Sequence, residues 1–298
     1  MNRLVATIAL SLLALVLLAS VVLAGTIRVP QDQKDLSVAL REAGYGDTVL
    51  VEPGKYLLQG RVRNGVKLLS AKGPDSTVLW NKRWHIVMMR DCDLETEVSG
   101  FTFDAKGCNI AVACTSGAPT ISGNVIRDAW DGINLERSNA LVKGNTIRGC
   151  NRAIAANNAS PEIIENTIVK NAEGLYLVTS SPIIARCSIR NNSKGIFLAG
   201  YCYPSIGGTL ATANDIEANG YNLYNEGRHI DGTLYTDERE VAVASVNYWG
   251  SLCPSRDRFR GEVVFTPWVN AAHDSIYHEC PPVEAADSTG STGSAGSQ

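Results

Sequence analysis

Residues 142–162 read VKGNTIRGCNRAIAANNASPE, and residues 163–183 read IIENTIVKNAEGLYLVTSSPI. The two segments agree in residue kind at most positions and follow each other without a gap. The period of 21 continues outward: Asn124, Asn145 and Asn166 share one column, with Cys187 in the fourth place. Ile126, Ile147, Ile168 and Ile189 form a second column. Ile133, Ile154, Leu175 and Ile196 form a third, and Leu135, Ala156, Leu177 and Leu198 a fourth. Small residues, Gly132, Ala153, Gly174 and Gly195, precede the third column. Upstream the step is 23, from Val98 to Ile121 and from Phe103 to Ile126. Downstream it is 27, from Ile189 to Ile216, after an insertion around residues 201–213. Columns of like residues at one period mean stacked structural units.

Within a unit, apolar and polar residues alternate over three to five positions, as in Asn145-Thr146-Ile147-Arg148. That is strand periodicity, and helical spacing is absent. Gly, Asn, Ser and Pro separate the short strands. Hairpins run neighbouring strands in opposite directions and cannot place like residues in register. A coil that winds once per unit can, with each strand parallel to its equivalent about 4.8 Å away. The expected fold is all-β, a parallel β-helix solenoid. The Ile and Leu columns then point inward. The Asn column sits where a strand yields to a turn, and its amides bond one another as an internal ladder. The Gly column is expected to supply turn positions with positive φ.

A solenoid needs covers at its open ends. Leu36, Ala39, Leu40 and Ala43 recur at helical spacing, which predicts a short N-terminal capping helix stopped by Gly44. Before it, residues 1–24 hold one basic residue, Arg3, then an apolar run ending Val22-Leu23-Ala24. This reads as a cleaved signal peptide, with an uncleaved anchor as the rival. No second apolar run follows. The expected domains are therefore the signal segment 1–24, the β-helix 25–280 and a flexible Ser/Thr/Gly-rich tail 281–298. The expected location is secreted or periplasmic. A bilayer enters only through the signal segment if it stays uncleaved.

Acidic residues exceed basic ones, 30 against 27, which argues against a nucleic-acid partner. Eight Cys in an exported chain permit disulfides. Cys253 and Cys280, the last two, flank the Trp268 strand and are expected to pair. No Cys/His cluster has metal-ligand spacing, and the three Met and four His are too dispersed for copper. Asn158-Ala159-Ser160 and Asn191-Asn192-Ser193 fit the glycosylation acceptor pattern, one that polar turns also produce by chance.

The segment TIRVPQDQKDLSVALREAGYGDTVLVEPGKYLLQGRVRNGVKLLSAKGPDSTVLW resembles the opening of pectin-lyase-like right-handed β-helix proteins. The middle is similar to their NosD-type repeats. The ending VNYWGSLCPSRDRFRGEVVFTPWVN resembles their closing segment. The resemblance implies a single-stranded right-handed parallel β-helix over about residues 26–270. It implies no one activity, because this fold hosts lyases, hydrolases, esterases, epimerases and non-enzymes. The Gly-His-Gly and Arg-Ile-Lys of polygalacturonases are missing. So are the Gln-Asp-Thr-Leu of pectin methylesterases and the Tyr-Gly-x-Asp-Pro-His of alginate epimerases.

Two outward sets are candidates for function. The register puts Asp104 one coil above Arg127, and Asp128, Asp131 and Glu136 on the Arg127 coil, with Arg152 below Asp131. A lyase needs a base plus a cation or Ca²⁺, and a hydrolase needs two carboxylates, so Asp104, Arg127, Asp128, Asp131 and Arg152 are the catalytic candidates. The alternative is that these charges pair across coils. No specific Ca²⁺ motif accompanies them. The second set is Tyr176, Phe197 and Tyr224 on successive coils, an exposed aromatic strip for stacking a sugar or partner, unless the 201–213 insertion folds over it. Trp84 and Trp130 are further candidates for exposure, their coil positions left open by the repeat. The expected function is a monomeric, exported β-helix protein that binds polysaccharide or cell-surface glycan. The alternatives are a polysaccharide lyase or glycoside hydrolase with an unrecognised site, and a structural surface module.

Overall fold

Each coil of the computed structural model resolves the local alternation into three short strands joined by tight turns. The structure describes residues 24–226 and 242–281, with the backbone of 229–230 and 233–234. Residues 1–23 of the expected signal segment 1–24 and the tail beyond residue 281 lie outside the described residues. One coil serves as the pattern. Leu141–Lys143 belongs to the first sheet, Thr146–Arg148 to the second and Arg152–Asn157 to the third. Parallel pairing to the coils on either side builds sheets of nine, eight and nine strands. The register keeps like on like: Ile126, Ile147, Ile168, Ile189 and Ile216 are successive partners. All five are fully buried. Inward side chains therefore stack as continuous aliphatic columns that form one core along the solenoid.

The Asn column is a hydrogen-bonded ladder. Asn145 Nδ2 donates to Asn166 Oδ1 at 3.0 Å and to the Ile121 carbonyl at 2.9 Å. Its own Oδ1 accepts from the backbone and side-chain N–H groups of Asn124. Asn214 and Asn247 extend the ladder beyond Cys187. A second ladder, Asn171, Asn192 and Asn219, runs in the turn between the second and third strands. The period read from the sequence did not single out this column.

The Gly132, Gly174 and Gly195 column does not sit at positive φ. Glycine is used there for close approach: a Cβ on Gly174 would lie 2.5 Å from the Gly195 carbonyl oxygen. The left-handed residues occupy the turns instead, among them Gly144 and Gly149, and also Asp128, Glu165 and Lys170.

A helix forms at Leu36–Glu42, where Asp35 accepts from the Ser37 and Val38 N–H groups at its start. Leu36, Ala39 and Leu40 are buried, and the helix packs on Thr26–Val29, Thr48–Val51 and Gly60–Val62. At the other end Cys253 and Cys280 form a disulfide, with Cα atoms 5.0 Å apart. The six other cysteines are free, five of them buried.

Candidate functional site

The third sheet carries the densest chemistry on its outer wall. In Glu173–Val178, Leu175 and Leu177 point to the core, so Tyr176 and Val178 point out. Asp131, Arg152, Glu173 and Lys194 are successive partners at the start of four adjacent strands. Opposite charges thus alternate along the register, and the Asp131–Arg152 and Glu173–Lys194 steps are ion pairs. Arg152 holds both carboxylate oxygens of Asp131, with Nη2 to Oδ2 at 2.8 Å, and Asn134 donates to the same Oδ2 at 2.8 Å. Lys194 Nζ lies 2.8 Å from Glu173 Oε1.

Each cation of this ladder also covers an aromatic face. Arg152 sits 4.8 Å from the Tyr176 centroid, and Lys194 sits 4.2 Å from that of Phe197. Tyr176, Phe197 and Tyr224 do share one column. They do not form an open strip of three rings. Phe197 is only 5% exposed, stacked on Tyr176 at 5.3 Å, met edge-on by Tyr224 at 5.1 Å and covered by Lys194. The insertion is not a lid of buried rings, since its Tyr201 and Tyr203 are 42% and 53% exposed.

The five charged candidates divide between two walls. Asp104 and Arg127 lie on the second sheet and pair at 3.2 Å, with Lys55 at 3.9 Å from the same carboxylate. Asp128 follows in the turn at φ 62°, exposed and close to Gly149. That turn sends Asp131 and Arg152 to the third sheet. The groove that Asp131 lines does not include Asp104, Arg127 or Asp128.

Asp131 and Arg152 do line a groove of about 620 Å³ on the third wall. Its rim carries Trp84 and Trp130, 63% and 58% exposed. Each Trp immediately precedes a strand of the third sheet, and His85, Ile110 and Asp131 are successive partners. The two indoles are therefore rooted two coils apart, about 10 Å along the axis. Met88, Asn109 and Ile110 line the groove with them, and Arg90, Asn134 and Glu136 supply polar groups. Glu136 is bonded to Arg137 at 2.7 Å, whereas Arg90 is exposed without an ion-pair partner among the described residues. His85 Nδ1 is buried without a hydrogen-bond partner among them, and burial holds this imidazole below its ordinary pKa. The steps from Trp84 to Asn109 to Trp130 are 25 and 21 residues. That continuation of the period is the signal by which the sequence could have placed both indoles. Among the described residues no three His, Cys, Asp or Glu side chains gather to hold a metal ion.

No curated protein matches this chain. Solved structures to which the chain is similar include the following three. ORF18 of Geobacillus virus E2 is 10% identical over 74% of this chain and 54% of its own, with a TM-score of 0.44. Pectate lyase Pel9A is 11% identical over 80% and 73%, with a TM-score of 0.45. A PL6 family alginate lyase is 9% identical over 82% and 39%, with a TM-score of 0.34. The chain thus spans about half the length of the viral protein. Residues 85–234, half of the chain, match the model described as the right handed beta helix region, and the chain belongs to that family.

Proposed function

We propose that this chain is an exported β-helix protein that binds a polysaccharide along the outer wall of its third sheet. One observation carries the reading: two exposed indoles, rooted two coils apart, flank a groove with charged and amide side chains on its floor. Indole faces stack on the apolar faces of sugar rings, and polar groups between them bond hydroxyls. Large aromatics left in water without a cover mark an interaction surface. The half-buried Tyr176 and Tyr224 extend the same wall. Binding is favoured over lyase or hydrolase chemistry by the state of the carboxylates. Asp131 is held by Arg152 and Asn134, and Glu136 by Arg137, which leaves no unpaired carboxylate in the groove. The apolar leader 1–24 supports export, and the solenoid 25–280 acts as a monomer outside the cytoplasm. The helix Leu36–Glu42 serves as the cap of the first coil.

The test is affinity electrophoresis through gels holding acidic or neutral polysaccharides, with an ultraviolet assay for unsaturated products alongside. At least one glycan should retard the parent, and Trp130→Ala should weaken that retardation about tenfold, the upper range for one ring–ring contact. A parent that runs unretarded on every glycan ends the binding reading, and release of unsaturated product replaces it with a lyase.

A further inference from the structure

The N-terminal end of the solenoid carries a concentration of positive charge that the third-sheet groove does not use. Two adjoining depressions, of about 550 and 520 Å³, share Ser37 and Gln59. Lys34, Lys55 and Arg83 line one, and Arg41, Arg61 and Arg63 line the other. All six are exposed. The one carboxylate in either lining, Asp35, is committed to the N–H groups of Ser37 and Val38 at 2.7 and 3.2 Å. Among the described residues the six cations make a single ion pair, Lys55 with Asp104 at 3.9 Å. Within the two linings cations outnumber carboxylates six to one, on a chain of net charge −3. Such a face concentrates anions from solution.

The surroundings say which anion. Leu57 lines the first depression and is 59% exposed. Tyr45, 60% exposed, lies against Gly65, two residues from Arg63. A mixture of cations with an exposed Leu and Tyr suits the boundary between headgroups and acyl chains. The path of the chain points the same way. Residues 4–24 contain no charged side chain. Ala24 meets the solenoid beside Gly46, whose N–H donates to the Gly65 carbonyl at 2.9 Å. The chain therefore joins its first strand at this end.

We propose that the N-terminal end of the solenoid docks on a membrane surface rich in anionic phospholipid headgroups, through Lys34, Arg41, Lys55, Arg61, Arg63 and Arg83. The face adjoins the glycan groove, since Arg83 precedes Trp84 and Arg61 pairs in register with Met88, but it shares no lining residue with that groove and acts whether or not the groove binds sugar. Basic side chains near an anionic bilayer each raise partitioning about fivefold, and the attraction is screened by salt.

The full chain is sedimented with vesicles of phosphatidylcholine alone or mixed with phosphatidylglycerol, at low and high salt. Three cations without any ion pair are neutralised together, as Lys34→Gln, Arg61→Gln and Arg83→Gln. A charge-preserving control carries Arg61→Lys and Arg83→Lys. The parent should favour the anionic vesicles, and the neutralised chain should lose on the order of 100-fold of that preference. Its binding to phosphatidylcholine alone and its melting midpoint should be unchanged, and the control should behave as the parent. Equal parent binding to both vesicles overturns the proposal, as does a neutralised chain that keeps the preference. If the three substitutions release an acidic polysaccharide while vesicle binding is unmoved, the face belongs to a polyanionic glycan and the membrane assignment is wrong.

Discussion

Asn145 makes its ladder bonds in both directions, so it tests what a single rung is worth. Its Oδ1 serves the backbone and side chain of Asn124, and its Nδ2 serves Asn166 and the Ile121 carbonyl. Alanine there strands buried donors and an acceptor on two neighbouring coils. Asn145→Ala should cost about 1–3 kcal/mol, read as a lower denaturation midpoint. The opposite change is available at Cys187. Its sulfur lies 4.0 Å from Asn166 Nδ2 and 3.3 Å from the Ile163 carbonyl, where the other rungs hold an amide. Burial holds this thiol up at about 11, so it stays neutral and makes only weak hydrogen bonds. Cys187→Asn completes a ladder from Asn124 to Asn247 and should add about 1 kcal/mol. A ladder of independent bonds gives these opposite signs. If both variants melt with the parent, the amides contribute nothing that water does not replace.

At the scale of elements, the coils and the C-terminal closure were differently legible. The period and the alternation are local, so strands, register and the inward columns could be read directly. The turns were harder. Arg127, Asp128 and Asp131 lie within five residues, yet the left-handed turn at Asp128 moves Asp131 to another sheet. Sequence proximity therefore suggested one charged set where there are two. The second Asn ladder was missed because Ala129 and Cys150 occupy its first positions. The closing segment has no repeat, but its two cysteines were readable as the pair that flanks it. Between them, Trp268 Nε1 donates to the Leu252 carbonyl at 3.0 Å, and Phe259 stacks on Phe265 at 4.1 Å. Cys253→Ser with Cys280→Ser should lower stability by roughly 3 kcal/mol for a closed loop of this size. Limited proteolysis should then cut between residues 253 and 280 before the coils. An unchanged midpoint and cleavage pattern would mean that aromatic packing alone closes this end.

Across the whole molecule, each coil touches only its neighbours, which makes stability a property of position along the axis. The wall chemistry was legible in part for the same reason: a residue's column follows from the period, while its exposure depends on the side chains of adjacent coils. Phe197 illustrates the difference, since the register put it outside and Tyr176, Tyr224 and Lys194 buried it there. The same nearest-neighbour logic governs unfolding. A quasi-one-dimensional array opens most cheaply at its ends, where a coil has one neighbour instead of two. The regular coils from Thr120 to Arg190 have full parallel partners on both sides in all three sheets. The first-sheet strand Thr26–Val29 pairs on one side with Thr48–Val51 and leans on the helix on the other. Trp268–Val269 pairs with Ile276–Tyr277 outside the three long sheets. Native-state hydrogen exchange should therefore resolve a gradient. Amides such as Ile147 and Ile168 should exchange only through global unfolding, and those of Ile27 and Val269 through openings of lower free energy. Adding denaturant should merge the two classes, because local openings expose little surface and global unfolding exposes much. If terminal and central amides share one free energy in its absence, the solenoid unfolds as a single cooperative unit, and coupling through the continuous aliphatic columns outweighs the missing neighbours at its ends.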